Sequence, residues 1–78
     1  MDETAKKKLK KLVADVLGLD EAKITDTFSY NDADNWDSLK HMEIIMSIEQ
    51  CFSVVLTADE IVTMTSIEDM IRILDQKK

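Results

Sequence analysis

Residues 36–52 read WDSLKHMEIIMSIEQCF, and this stretch decides the fold. At about 100° per residue, Ile44, Ile45, Ile48 and Phe52 gather on one arc, which suits burial of one side of a helix. Leu39, Met42 and Met46 form a second apolar stripe beside it, spaced i, i+3 and i+7. The two stripes together cover well over half the circumference, more than a single core contact requires. The second stripe therefore needs cover, either from the chain's own loop or from a partner. Two methionines there suit an adaptable contact surface, because thioether side chains repack easily. Asp37 is placed to cap the helix, which makes Ser38 its first residue.

Upstream, residues 19–36 show no sustained period and are rich in Asp, Asn, Ser and Thr. An irregular stretch of that length is unusual in a small domain and tends to be functional. Leu19, Ile24, Phe28 and Trp36 are its expected apolar anchors, so the loop reads as pinned. Before it, Leu9, Leu12, Val13, Val16 and Leu17 repeat along one face of a helix over residues 4–17. Lysines fill the opposite face, and the run at 6–11 reads as its solvated side. Asp2 and Glu3 stand at the electropositive start, and Gly18 stands where a left-handed cap belongs. Downstream, Thr57-Ala-Asp-Glu60 fits a capping box ahead of a short helix with Ile61, Val62 and Met64. Ser66-Ile-Glu-Asp69 is an acidic variant of that box, and Ile67, Met70, Ile71 and Leu74 follow at helical spacing. The expected fold is all-α: a four-helix bundle with a short third helix and a long loop between helices one and two.

Composition narrows the functional classes. The 78 residues leave room for one domain, residues 1–78, and one Gly with no Pro argues against a turn-rich β architecture. A chain this short buries only ~60% of its unfolded surface, which leaves little depth for a catalytic cleft. A single cysteine, Cys51, excludes an internal disulfide framework, and a single histidine, His41, leaves no set for structural zinc. No apolar run reaches the length of a membrane span, and the charged start is unlike a signal peptide. A cytoplasmic location is therefore expected. The net charge of −6 is uneven: residues 1–23 carry six lysines against five acids, residues 24–78 eleven acids against four bases. Phosphate backbones repel such a surface, so no nucleic-acid partner is expected. Basic partner proteins are the natural counterpart.

Candidate chemistries can be weighed on spacing. Ser38 reads either as an ordinary capping serine or as an exposed hydroxyl whose attached phosphate would meet unpaired helix N–H groups. Ser38 and His41 are i, i+3, but no third residue orients the imidazole and no Gly-rich turn follows the serine. His41 falls near the middle of the buried arc and reads as a packed or hydrogen-bonded side chain. A calcium loop beginning at Asp32 would put Trp36 at position five and Asp37 at position six, where the turn needs Gly. That reading fails. Cys51 falls on the polar side of its helix, and Tyr30 acquires no role.

The whole pattern resembles one family. Residues 36–52 closely resemble the start and body of the second helix of acyl carrier proteins, and the order of helices and loop matches over nearly the whole chain. Asp-Ser-Leu alone is a weak tripeptide; Glu43, Phe52, the box at 57–60 and the helix at 66–74 at matching spacing make it specific. The resemblance implies that Ser38 receives a 4′-phosphopantetheine group from coenzyme A, transferred by a separate phosphopantetheinyl transferase. It implies that Asp37 contacts the transferase, that Leu39, Met42 and Met46 meet partners, and that Glu43 and Glu49 pair with basic docking patches. The chain would then be a monomeric carrier rather than an enzyme. It would hold acyl groups as thioesters for acyl-activating, acyltransferase or synthase enzymes of fatty-acid, polyketide or related lipid biosynthesis. Lys40 and His41, Val54, Val55 and Thr57, and Gln50 and Cys51 depart from the usual fatty-acid carriers and point toward a specialised pathway. An aminoacyl or peptidyl carrier, and an unmodified helical interaction domain, are the alternative readings.

Overall fold

The second, third and fourth helices begin at the caps that the sequence advertises, and the first begins one residue before the expected start, with Asp2 as its cap. In the computed structural model, which describes residues 1–77, α1 spans Glu3–Leu17, α2 Ser38–Phe52, α3 Ala58–Thr63 and α4 Ile67–Gln76. Lys78, counted above within the domain, lies outside the described residues. Asp2 Oδ1 accepts from the N–H of Ala5 at 2.8 Å, and Asp37 Oδ1 from that of Lys40 at 2.9 Å. Thr57 and Glu60 form a reciprocal box, Glu60 N–H donating to Oγ1 and Thr57 N–H to Oε1. Ser66 Oγ accepts from Asp69 N–H at 3.1 Å, while the Asp69 carboxylate pairs with Arg72. Such caps satisfy N–H groups that have no partner inside the helix, at about 1 kcal/mol each. Gly18 closes α1 at φ 70°, a conformation glycine adopts without steric cost.

The apolar stripes then meet. Leu9, Val13 and Leu17 of α1, Ile44, Ile45 and Ile48 of α2, and Ile67, Met70 and Leu74 of α4 form the core, joined by Met64. Burial of each such side chain contributes roughly 1.5–3 kcal/mol. Phe52 departs from the expected arc: it is only half-buried, because the chain turns away directly after it, with Ser53 at φ 54°.

The long loop is more ordered than its composition indicates. Two single turns of 3₁₀ helix, Glu21–Lys23 and Tyr30–Asp32, interrupt it. Three residues are too few to leave a periodic signature. Ile24, Phe28 and Trp36 are buried as expected, whereas Leu19 is half-buried. Polar contacts fasten the rest. Asn35 Nδ2 donates to the carbonyl of Leu17 at 2.8 Å, one of the carbonyls the end of α1 leaves free. Tyr30 N–H donates to Thr65 O, and Ile67 N–H to Phe28 O, each at 2.9 Å. The loop is thus stitched to the link between α3 and α4 before it delivers the chain to Asp37. Among the described residues no helix is long and apolar enough to cross a membrane.

Candidate functional site

The loop and the Asp37 cap together set Ser38 at the surface, as the first residue of α2. Asp37 takes two of the opening N–H groups: its Oδ1 accepts from Lys40 and its carbonyl from His41, at 2.8 Å for the latter. Among the described residues, the N–H groups of Ser38 and Leu39 have no protein acceptor. They lie at the positive end of the helix dipole, where an anion is favoured.

Beside Ser38 runs a groove of about 500 Å³ between α2 and α3, lined by Tyr30, Trp36, Asp37, Ser38, His41, Met42, Ile61, Val62 and Thr65. Its walls are mainly apolar. A wider depression of about 790 Å³, bounded by Lys7, Lys10, Glu21 and Asp26, shares no residue with it. The groove at Ser38 is the one with chemistry beside it.

The stripe that needed cover is left open by the loop. Leu39 is 71% exposed, Met46 56% and Met42 44%, and Val62 of α3 extends the same apolar character at 71%. Exposed apolar side chains in such density mark a contact surface. Glu43 lies exposed among them and meets Lys40 Nζ at 3.5 Å. Glu49 is placed differently: it is half-buried, and its Oε2 accepts from the backbone N–H of Leu56 at 3.0 Å. Cys51 is a free, exposed thiol.

His41 has a specific role in the packing. Its Nδ1 accepts from the indole N–H of Trp36 at 3.1 Å, and its Nε2 meets the carbonyl of Ile61 at 2.7 Å. An indole N–H only donates and a carbonyl only accepts, so these partners assign the ring proton to Nε2. With both nitrogens engaged, the imidazole does not act as a base toward Ser38. Trp36 is itself held by stacking on Phe28, ring centroids 6.2 Å apart. Sequence reasoning gave no role to Tyr30 or Asn35 and did not pair His41 with Ile61. Asn35 is indistinguishable in the sequence from its polar neighbours, and the other two depend on contacts across the fold.

The fold thus presents an exposed serine at the start of the second helix of a small bundle, next to an apolar groove and a bare apolar face, the arrangement of a small carrier domain. Residues 7–74 match a family model described as a phosphopantetheine attachment site. Over 68 residues the chain is 38% identical to the acyl carrier protein of Buchnera aphidicola subsp. Baizongia pistaciae (strain Bp), covering 87% of each sequence. The chain belongs to the acyl carrier protein family, whose members carry phosphopantetheine and are not enzymes.

Proposed function

We propose that Ser38 is the attachment residue and that residues 1–78 work as one monomeric carrier domain in the cytoplasm. On this reading the chain delivers acyl groups to enzymes of fatty-acid, polyketide or related lipid biosynthesis. The observation that carries it is the exposed Ser38 hydroxyl at the start of α2, with two N–H groups that are unpaired among the described residues and an apolar groove beside it. The N–H groups suit a phosphodiester on Ser38 Oγ, and the groove suits a slender, partly apolar arm. When bound, 4′-phosphopantetheine supplies the thiol that holds an acyl group as a thioester. Asp37 orders the first turn and presents a carboxylate to a phosphopantetheinyl transferase. Leu39, Met42 and Met46 supply the apolar contact with acyl-activating, acyltransferase or synthase enzymes. Glu43 steers their basic patches; Glu49 adds charge while one of its oxygens holds the chain.

The carrier's contribution is tethering. A covalent arm turns delivery into an intramolecular event at a raised effective concentration. Docking should be weak and charge-steered, because each partner must release the carrier again. Lys40, paired with Glu43, brings a positive charge close to Ser38 and reduces the negative field there, while His41 puts a packed, neutral ring in the same turn; both support a dedicated partner set over a general one.

The experiment is intact mass after incubation with coenzyme A, Mg²⁺ and a promiscuous phosphopantetheinyl transferase, with Ser38→Ala alongside. One added phosphopantetheine on the wild type alone is expected, with the helical circular dichroism of the variant unchanged. A folded wild type that takes up no group, or a variant that takes it up, sinks the assignment.

A further inference from the structure

We propose that His41 is a positioning residue that latches α3 to the first turns of α2 and so sets the groove and the apolar face beside Ser38. The functional part of this inference rests on the reading of Ser38 above; the structural part does not.

Three observations carry it. First, α3 is six residues long and contributes no fully buried residue of its own. Its Thr57–Glu60 box is internal, so its position depends on outside ties. These are buried Leu56 and Met64 at its two ends, the Tyr30–Thr65 bond beyond it, half-buried Ile61, the Lys77–Glu60 ion pair, and the His41 bond. Among the described residues, the His41 bond is the one hydrogen bond made to the body of the helix from α2. Segments with few buried contacts are the first to open. Second, the His41 bond takes the Ile61 carbonyl at 2.7 Å, a group in the last turn that the helix cannot satisfy itself. Third, the imidazole is braced from behind. Trp36 stacks on it with centroids 6.2 Å apart and donates to Nδ1, and Trp36 is fixed by burial and by Phe28. The line Phe28–Trp36–His41–Ile61 therefore runs from a loop anchored on α4 to the last turn of α3.

The groove walls follow from this. Met42 stands on α2 and Val62 on α3, each directly next to a latch residue in the chain, and both line the groove. The latch fixes their separation before any partner arrives, which lowers the ordering cost of docking.

Two substitutions separate the bonds from the bulk. His41→Phe keeps a flat ring but loses donor and acceptor; His41→Gln keeps one of each on its amide. In the unmodified chain, amide hydrogen exchange at residues 61–65 is expected to quicken about fivefold or more in H41F, with α1 unchanged, and to return in H41Q. As a transferase substrate, H41F is expected to show KM raised about fivefold with kcat kept, and H41Q to restore it. In the wild type, ¹⁵N spectra of the ring are expected to place its proton on Nε2. A proton on Nδ1, faster exchange spread equally over all helices, unchanged exchange or KM, or H41Q behaving as H41F, overturns the latch. A folded chain that takes up no arm sinks the reading of Ser38 instead, and the exchange comparison then decides the latch alone.

Discussion

Glu49 Oε2 accepts a hydrogen bond from the backbone N–H of Leu56 at 3.0 Å, across the turn that ends α2. The same residue's carbonyl accepts from the N–H groups of Ser53 and Val54, so both ends of Glu49 organise that turn. Leu56 is buried, and its N–H therefore needs this partner. Glu43, two turns earlier, has no such duty: it is exposed, and among the described residues it meets only the flexible amine of Lys40. Two acids that look equivalent along the helix thus divide between holding the fold and facing solvent.

Their substitutions should divide in the same way. Glu49→Ala is expected to cost about 1–2 kcal/mol in denaturant melts, since it orphans a buried N–H. Glu43→Ala should change stability by less than about 0.5 kcal/mol, as exposed pairs do. Glu43→Lys should instead slow association with a basic partner, and the deficit should shrink as salt rises. Stopped-flow binding across ionic strengths checks it; a salt-independent loss contradicts it.

Trp36 combines burial with a donated hydrogen bond. Trp36→Ala is expected to cost about 3–5 kcal/mol, against a total margin of order 4–12 kcal/mol for a domain of this size. Trp36→Phe should cost clearly less, because it retains most of the apolar volume and loses the donor to His41 Nδ1. Thermal melts that rank the two variants equally would count against the packing described.

Two carboxylates tie stability to pH. Hydrogen bonding from Lys10, with its charge, holds Asp26 below the usual carboxylate range; Lys77, then the Thr57 N–H, do the same for Glu60. A carboxyl whose folded pKa is depressed stabilises above its unfolded value, near 4, and loses that contribution as pH falls through the folded one. Melting temperature should therefore fall below about pH 5, and Glu60→Gln and Asp26→Asn should each flatten that fall. Both groups lie at the surface, so added salt should flatten it as well.

Asn35 Nδ2 reaches the Leu17 carbonyl across 18 positions of sequence. Asn35→Ala is expected to cost about 1 kcal/mol. Asn35→Asp should not recover it, because a carboxylate has no hydrogen to give. Amide exchange in the long loop should rise in both variants while that in α4 holds.

The legible part of this protein is the part written in local terms. Asp2, Asp37, Thr57 and Ser66 each act on a residue three positions ahead, so the caps, and with them the helix starts, can be read along the chain. The recurrences of Leu9 to Leu17, Ile44 to Ile48 and Ile67 to Leu74 likewise name most of each buried face in advance, although Leu12, Val16 and Ile71 are half-buried and Ile73, outside the spacing, is buried. Ser38 follows from them, since a helix capped by Asp37 has no other first residue. The exposed Leu39, Met42 and Met46 were legible as surplus apolar surface, although not what would leave them bare.

The tertiary structure alone decided which polar groups meet. His41 finds Ile61 twenty positions away, Asn35 finds Leu17 eighteen away, and Glu49 rather than Glu43 finds Leu56. Nothing in the residue types distinguishes these choices, because each depends on how two elements are rotated and spaced once their apolar faces have packed. The four helices, most of their inward faces and the exposed serine are thus written along the chain, because each is set by interactions within a turn or two. The width of the groove, the neighbours of that serine and the division of labour among its acids were set by packing, where position in space replaces position in the chain.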